Sequence, residues 1–215
     1  MGDTPSERTV TINIDGHPHL GELVIPGNAQ GMVLFAHGSG SSRLSPRNTY
    51  VANILHQGCV ATLLFDLLTE AEDMYYETRF DIDLLTNRLL SATEWVSNQS
   101  YLQEFPIGYF GASTGAAAAL MAAAILGENI RAVVSRGGRP DMAMDTLSRV
   151  KAPTLLIVGG YDETVLELNE QAYAKLECTR ELKVVSGATH LFEEPGTLEQ
   201  VAQLARDWFV IYLPS

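Results

Sequence analysis

Residues 107–120 read Ile107-Gly108-Tyr109-Phe110-Gly111-Ala112-Ser113-Thr114-Gly115-Ala116-Ala117-Ala118-Ala119-Leu120: an apolar run, a Gly-x-Ser-x-Gly turn and an alanine-rich stretch, in that order. The pattern predicts a strand, a sharp turn and a helix, which together make a nucleophile elbow. A serine hydroxyl is a weak nucleophile, so chemistry that uses one needs it exposed and beside a base. The elbow lifts Ser113 above the sheet, and Gly111 and Gly115 remove side chains that would collide in so tight a bend.

Outward from this turn, apolar runs alternate with helical segments. Upstream, Thr9–Ile14 and His19–Ile25 flank Asp15-Gly16 with period-two patterning and predict an antiparallel hairpin. The runs Met32–Ala36, Ala61–Asp66, Pro106–Phe110, Ala132–Ser135, Thr154–Val158 and Leu182–Val185 predict strands buried on both faces. Helices are expected over Pro46–Gln57, Phe80–Ser97, Ser113–Leu126, Asp141–Leu147, Thr164–Leu176 and Thr197–Leu213. This order implies an α/β fold with a mostly parallel eight-stranded sheet, helices on both faces and the hairpin at one edge, formed by residues 1–215 as one domain. Only one short helix is expected between the strands ending near Ser135 and starting near Thr154, so no cap domain is expected. The connection Leu67–Arg79, with Met74, Tyr75 and Tyr76, is expected to form a mobile rim.

Sites in such sheets collect at the carboxyl ends of the strands. Asp162 follows the run ending at Val158, and His190 follows the run ending at Val185, so the chain order is Ser113, Asp162, His190. The order matches a Ser-Asp-His triad on a parallel sheet. Asp141 is the rival acid, but it follows Pro140 as an ordinary helix start would. Acyl transfer also needs two fixed N–H donors for the developing oxyanion. The amide of Thr114, at the helix start, is one candidate. The loop His37-Gly38-Ser39-Gly40 is expected to supply the other from Ser39, with Gly38 as the alternative. His37 reads as a loop brace rather than a second base and is also carried as a candidate substrate contact; Asp66 reads as a bracing carboxylate.

The chain carries 26 acidic and 14 basic residues, a formal charge of -12. That balance argues against nucleic acid and anionic membranes as partners. The first residues show no secretory signal, no run is long and apolar enough to span a bilayer, and Cys59 and Cys178 show no metal-ligand spacing. A cytoplasmic protein with reduced thiols, monomeric or homodimeric, is expected. The arginines are uneven. Arg43, Arg47, Arg136 and Arg139 fall at the carboxyl ends of strands, and Arg79 closes the acidic connection. Either they pair with the surplus carboxylates or they bind an anionic substrate. Arg43 and Arg136, bordering the oxyanion and strand-end loops, are the candidate substrate contacts.

The strings His37-Gly38-Ser39-Gly40-Ser41-Ser42-Arg43, Ser45-Pro46-Arg47-Asn48, Gly111-Ala112-Ser113-Thr114-Gly115 and Arg136-Gly137-Gly138-Arg139-Pro140-Asp141 are similar to the α/β-hydrolase superfamily. Within it the chain resembles dienelactone-hydrolase-like proteins, of the type also found fused to phosphoribosyltransferase domains. Authentic dienelactone hydrolases use a cysteine nucleophile where this chain has Ser113. The resemblance implies hydrolysis of a small ester, thioester or lactone with no metal or organic cofactor. An acyltransferase sharing the acyl-enzyme, and a non-catalytic module keeping the fold, are the rival functions.

Overall fold

A computed structural model describes residues 6–214. The eight strands are β1 (Ser6–Ile14), β2 (His17–Ile25), β3 (Gly31–Ala36), β4 (Val60–Phe65), β5 (Ile107–Ala112), β6 (Ile130–Arg136), β7 (Thr154–Gly159) and β8 (Arg180–Val185). They form one sheet in the order β1-β2-β4-β3-β5-β6-β7-β8. β1 pairs antiparallel with β2, β2 antiparallel with β4, and every later pair is parallel. The expected mostly parallel sheet edged by an antiparallel hairpin is therefore the observed one.

Two apolar layers sandwich the sheet. One face packs on α3 (Ile82–Ser97) and α4 (Thr114–Leu126), where the alanines let the helix approach the strands closely. The other packs on α1 (Pro46–Gln57) and α6 (Thr197–Tyr212), with Phe35, Phe110, Trp208 and Phe209 in the core. β3, β4, β5 and β7 are buried along their whole length, as their unbroken apolar runs require. β8 departs from the expectation of a strand buried on both faces. It is the sheet edge, and Val184 is half exposed.

α1 starts where Ser45 and Pro46 predict: the Ser45 side chain accepts from the Asn48 amide, and Pro46 occupies the first turn. The helix expected over Asp141–Leu147 is absent. Two 3-10 turns, Pro140–Ala143 and Leu147–Arg149, stand there instead, because Asp141 is drawn into a pair with Arg139 and the segment is too short to complete α-helical turns. Nothing larger lies between β6 and β7, so no cap covers the strand ends. The connection from β4 to α3 holds a short helix, α2 (Glu70–Asp73), closed by a Thr69/Glu72 capping box. Arg88 ties Glu72 to Asp15 of the β1–β2 turn, and Arg79 binds Asp73, so this rim is cross-braced rather than open. No helix of the described residues is long and apolar enough to cross a membrane.

Candidate active site

Ser113 sits between β5 and α4 with φ 51° and ψ -122°, a conformation that side chains other than glycine rarely adopt. The bend needs its glycines for space. A Cβ on Gly111 would lie 2.4 Å from Ala116 Cα, and one on Gly115 would lie 2.1 Å from Ala36 O and 2.5 Å from His37 O. Backbone on both sides leaves nowhere for the added atom to go. Gly115→Ala is therefore expected to destabilise the protein by about 3 kcal/mol, measured by urea unfolding, since overpacking a rigid site costs roughly that much.

The end of β7 carries the carboxylate to the histidine. Gly159 passes so close to the backbone before His190 that a Cβ would meet Ala188 O at 2.5 Å, and the Tyr161 amide donates to the same carbonyl at 2.9 Å. Asp162 Oδ2 then accepts from His190 Nδ1 at 2.6 Å, with the carboxylate largely buried and the ring about a third exposed. That bond fixes the tautomer, leaving Nε2 as the free acceptor. Asp141 is engaged elsewhere, its two oxygens each 2.8 Å from Arg139. The geometry thus joins His190 to Asp162 and not to its rival.

Ser113 and His190 both adjoin the end of β6. The Ser113 amide donates to Arg136 O at 3.3 Å, and His190 Cε1 lies 3.6 Å from where a Cβ on Gly137 would stand. Ser113 Oγ and His190 Nε2 are not hydrogen-bonded to each other among the described residues. Such contacts commonly tighten only around a substrate. The His190 loop is anchored by Glu194, which accepts from the Thr189 amide at 3.1 Å and the Thr189 hydroxyl at 2.6 Å. Nothing in the sequence singles out Glu194. Its role follows from a turn that only the folded loop defines.

Of the two candidate oxyanion donors, Thr114 follows Ser113 in the chain and Ser39 follows Gly38, which packs on Ser113. Thr114 begins α4, where a first-turn amide has no intrahelical acceptor. Gly38 packs against the elbow so tightly that a Cβ would lie 3.0 Å from Ser113 Cβ. Its carbonyl accepts from His37 Nδ1 at 3.0 Å and from the Ser41 amide at 3.2 Å. Because a trans peptide points N–H opposite to C=O, these two bonds fix the direction of the Ser39 N–H. His37 Nε2 accepts from the Leu67 amide at 3.0 Å. Burial pushes the ring's pKa down, which keeps it neutral and able to accept. Both ring nitrogens are thus occupied by the backbone. That arrangement fits the reading of His37 as a loop brace.

Arg43 is also held by neighbours. Its amide donates to Asp66 Oδ1 at 2.8 Å and its guanidinium to Asp66 Oδ2 at 2.5 Å and Glu22 Oε1 at 3.2 Å. Two carboxylates already answer its charge, the arrangement of the salt-bridge reading of the arginines. Arg136 is different. It is 8% exposed, Nη1 is enclosed without a partner, and the guanidinium lies over the Phe110 ring at 5.8 Å. Burial, with the charge of Arg47 adding to it, pushes the pKa down to about 10. Among the described residues no three His, Cys, Asp or Glu side chains converge as a metal site. A cavity of about 910 Å³ opens between α3 and α4 beside Asn87, Pro106 and Asn129, and neither Ser113 nor His190 lines it.

The family model for the dienelactone hydrolase family matches residues 67–209, which include Ser113, Asp162 and His190. The chain belongs to the dienelactone hydrolase family. Its backbone is similar to that of a dienelactone hydrolase from Anabaena variabilis, 54% identical with a TM-score of 0.95, over 97% of this chain and 99% of that one. Est1E from Butyrivibrio proteoclasticus, only 16% identical, superposes with a TM-score of 0.82 over 94% of this chain and 98% of its own, a likeness of fold alone. A putative phosphoribosyl transferase, found in two strains of Mycobacterium tuberculosis, is 59% identical over 196 residues, 91% of this chain but 44% of the relative. This family member therefore spans less than half the length of those relatives. Fold and family are together those of the α/β-hydrolase type.

Proposed function

We propose that this family member is a serine hydrolase acting on small esters, thioesters or lactones that bear an anionic group. The hydrogen bond of 2.6 Å between Asp162 and His190, at strand ends flanking a serine held at φ 51°, carries the reading. His190 Nε2 takes the proton of Ser113 Oγ as the oxygen attacks the carbonyl carbon. The tetrahedral oxyanion is held by the Ser39 and Thr114 amides, and Asp162 stabilises the imidazolium. Collapse breaks the bond to the leaving group, which departs with the proton from His190. A water deprotonated by the same histidine then attacks the acyl-enzyme and releases the acid and Ser113.

Every step uses side chains and amides of this chain. The Mycobacterium tuberculosis relatives are named for phosphoribosyl transfer, and this chain matches 44% of their length. A panel of neutral and anionic esters, thioesters and lactones tests the reading, with Ser113→Ala as the blank. Turnover that depends on Ser113 and favours the anionic members is the expected result. Turnover that survives in Ser113→Ala would overturn it. Adding an alcohol acceptor separates hydrolysis from acyl transfer, since an acyltransferase would yield the new ester instead of the free acid.

A further inference from the structure

The arginines at the carboxyl ends of the strands are not alike in their partners. Arg43, Arg79 and Arg139 each bind a carboxylate at 3.0 Å or less. Arg47 reaches Glu193 with one nitrogen at 3.3 Å, and that glutamate is mostly exposed, so solvent screens the contact. Among the described residues Arg136 pairs with no carboxylate, although it is the most buried of the five. Its Nη1 and the Nε of Arg47 are both enclosed and both without acceptors. The loop after His190 links the two: Glu193, which Arg47 reaches, follows Phe192, whose ring lies 3.5 Å from where a Cβ on Gly137, the residue after Arg136, would stand.

Arg136 also stands beside the reaction centre. It pairs with Ala112 across the sheet, one residue before Ser113, and its carbonyl holds the Ser113 amide. Arg47 lies in the first turn of α1, whose amide dipoles add positive potential. We propose that Arg136 and Arg47 form a phosphate-binding subsite next to Ser113, which holds the phosphoryl group of a phosphorylated acyl substrate while the carbonyl reacts. This rests on the reading of Ser113 as nucleophile. Phosphate fits better than carboxylate because two guanidiniums need an ion carrying close to two charges and at least three oxygens, and a phosphomonoester at pH 7 supplies both. The phosphoryl group keeps all its bonds; it anchors and orients.

Inorganic phosphate is the probe, titrated calorimetrically into the full chain and into Ser113→Ala. Saturable 1:1 binding to both is expected. Arg136→Gln and Arg47→Gln should each weaken it at least tenfold, Arg43→Gln should leave it unchanged, and acetate should bind at least tenfold more weakly than phosphate. Phosphate should also raise the melting temperature of the wild type. In phosphate-free buffer Arg136→Met should melt a few degrees above the wild type, because it removes an unpaired buried charge, whereas a structural arginine would leave a variant that melts lower. Phosphate binding that survives both glutamine substitutions, or acetate binding as tight as phosphate, would overturn the proposal. Phosphate binding to a wild type that hydrolyses no ester would uphold the anion site and sink the nucleophile reading instead.

Discussion

Replacing Ser113 by alanine is expected to lower kcat/KM for an activated ester by a factor of about 10⁵ and to abolish labelling by a fluorophosphonate, with the fold unchanged. The magnitude follows from the proposed role of Ser113 Oγ in forming the acyl-enzyme: without it, what is left is binding and the oxyanion donors, acting on water. Alanine is the conservative choice because it keeps the Cβ that Gly38 packs against. It also keeps the strain. At φ 51° and ψ -122° any residue with a Cβ is held in a sparsely populated region, at a cost of about 1–3 kcal/mol. Glycine relieves that strain but forfeits the hydroxyl just as alanine does. Ser113→Gly should therefore be as inactive as Ser113→Ala yet more stable than it by about 1 kcal/mol, measured by urea unfolding. Equal stabilities would mean the elbow stores no strain; full activity in either variant would remove Ser113 from the chemistry.

The parts of this site that were legible in the sequence are those fixed by local backbone demands. The elbow is readable because Gly111 and Gly115 are the only residues that fit against Ala116, Ala36 and His37, so sequence and sterics say the same thing. The start of α1 is readable for the same reason, from a capping Ser45 followed by Pro46. β3, β5 and β7 announce themselves as apolar runs because both faces are covered. Partnerships between distant side chains are another matter. Arg43 lies 23 residues from Asp66 and Arg47 lies 146 residues from Glu193, and only the folded sheet decides which strand-end carboxylate each arginine meets. Arg43 and Arg136 look equivalent in sequence. Folding gives one of them two carboxylates and the other an aromatic face. The segment 141–147 misleads for a related reason: its composition suits a helix, but the local Arg139–Asp141 pair and the short span between β6 and β7 set 3-10 turns instead.

The second large effect concerns the acid. Asp162→Asn is expected to lower kcat by about 10⁴, because an asparagine amide can donate to the ring and favour the tautomer whose Nε2 carries the proton, leaving His190 unable to take one from Ser113. It also removes the negative charge that stabilises the imidazolium formed in the transition state. The loss should fall on kcat with KM little changed, since Asp162 stabilises a charge absent from the ground state. Asp141→Asn is the control, because the residue has the same chemistry and a comparable place in the chain after a strand end. Its pairing with Arg139 is partly exposed, so breaking it should cost under about 1 kcal/mol of stability and change kcat less than threefold. A larger loss from Asp141→Asn than from Asp162→Asn would mean that His190 changes partner during turnover. The two bonds argue against that exchange: Asp162 Oδ2 already lies 2.6 Å from His190 Nδ1, whereas Asp141 would first have to release both of its 2.8 Å bonds to Arg139.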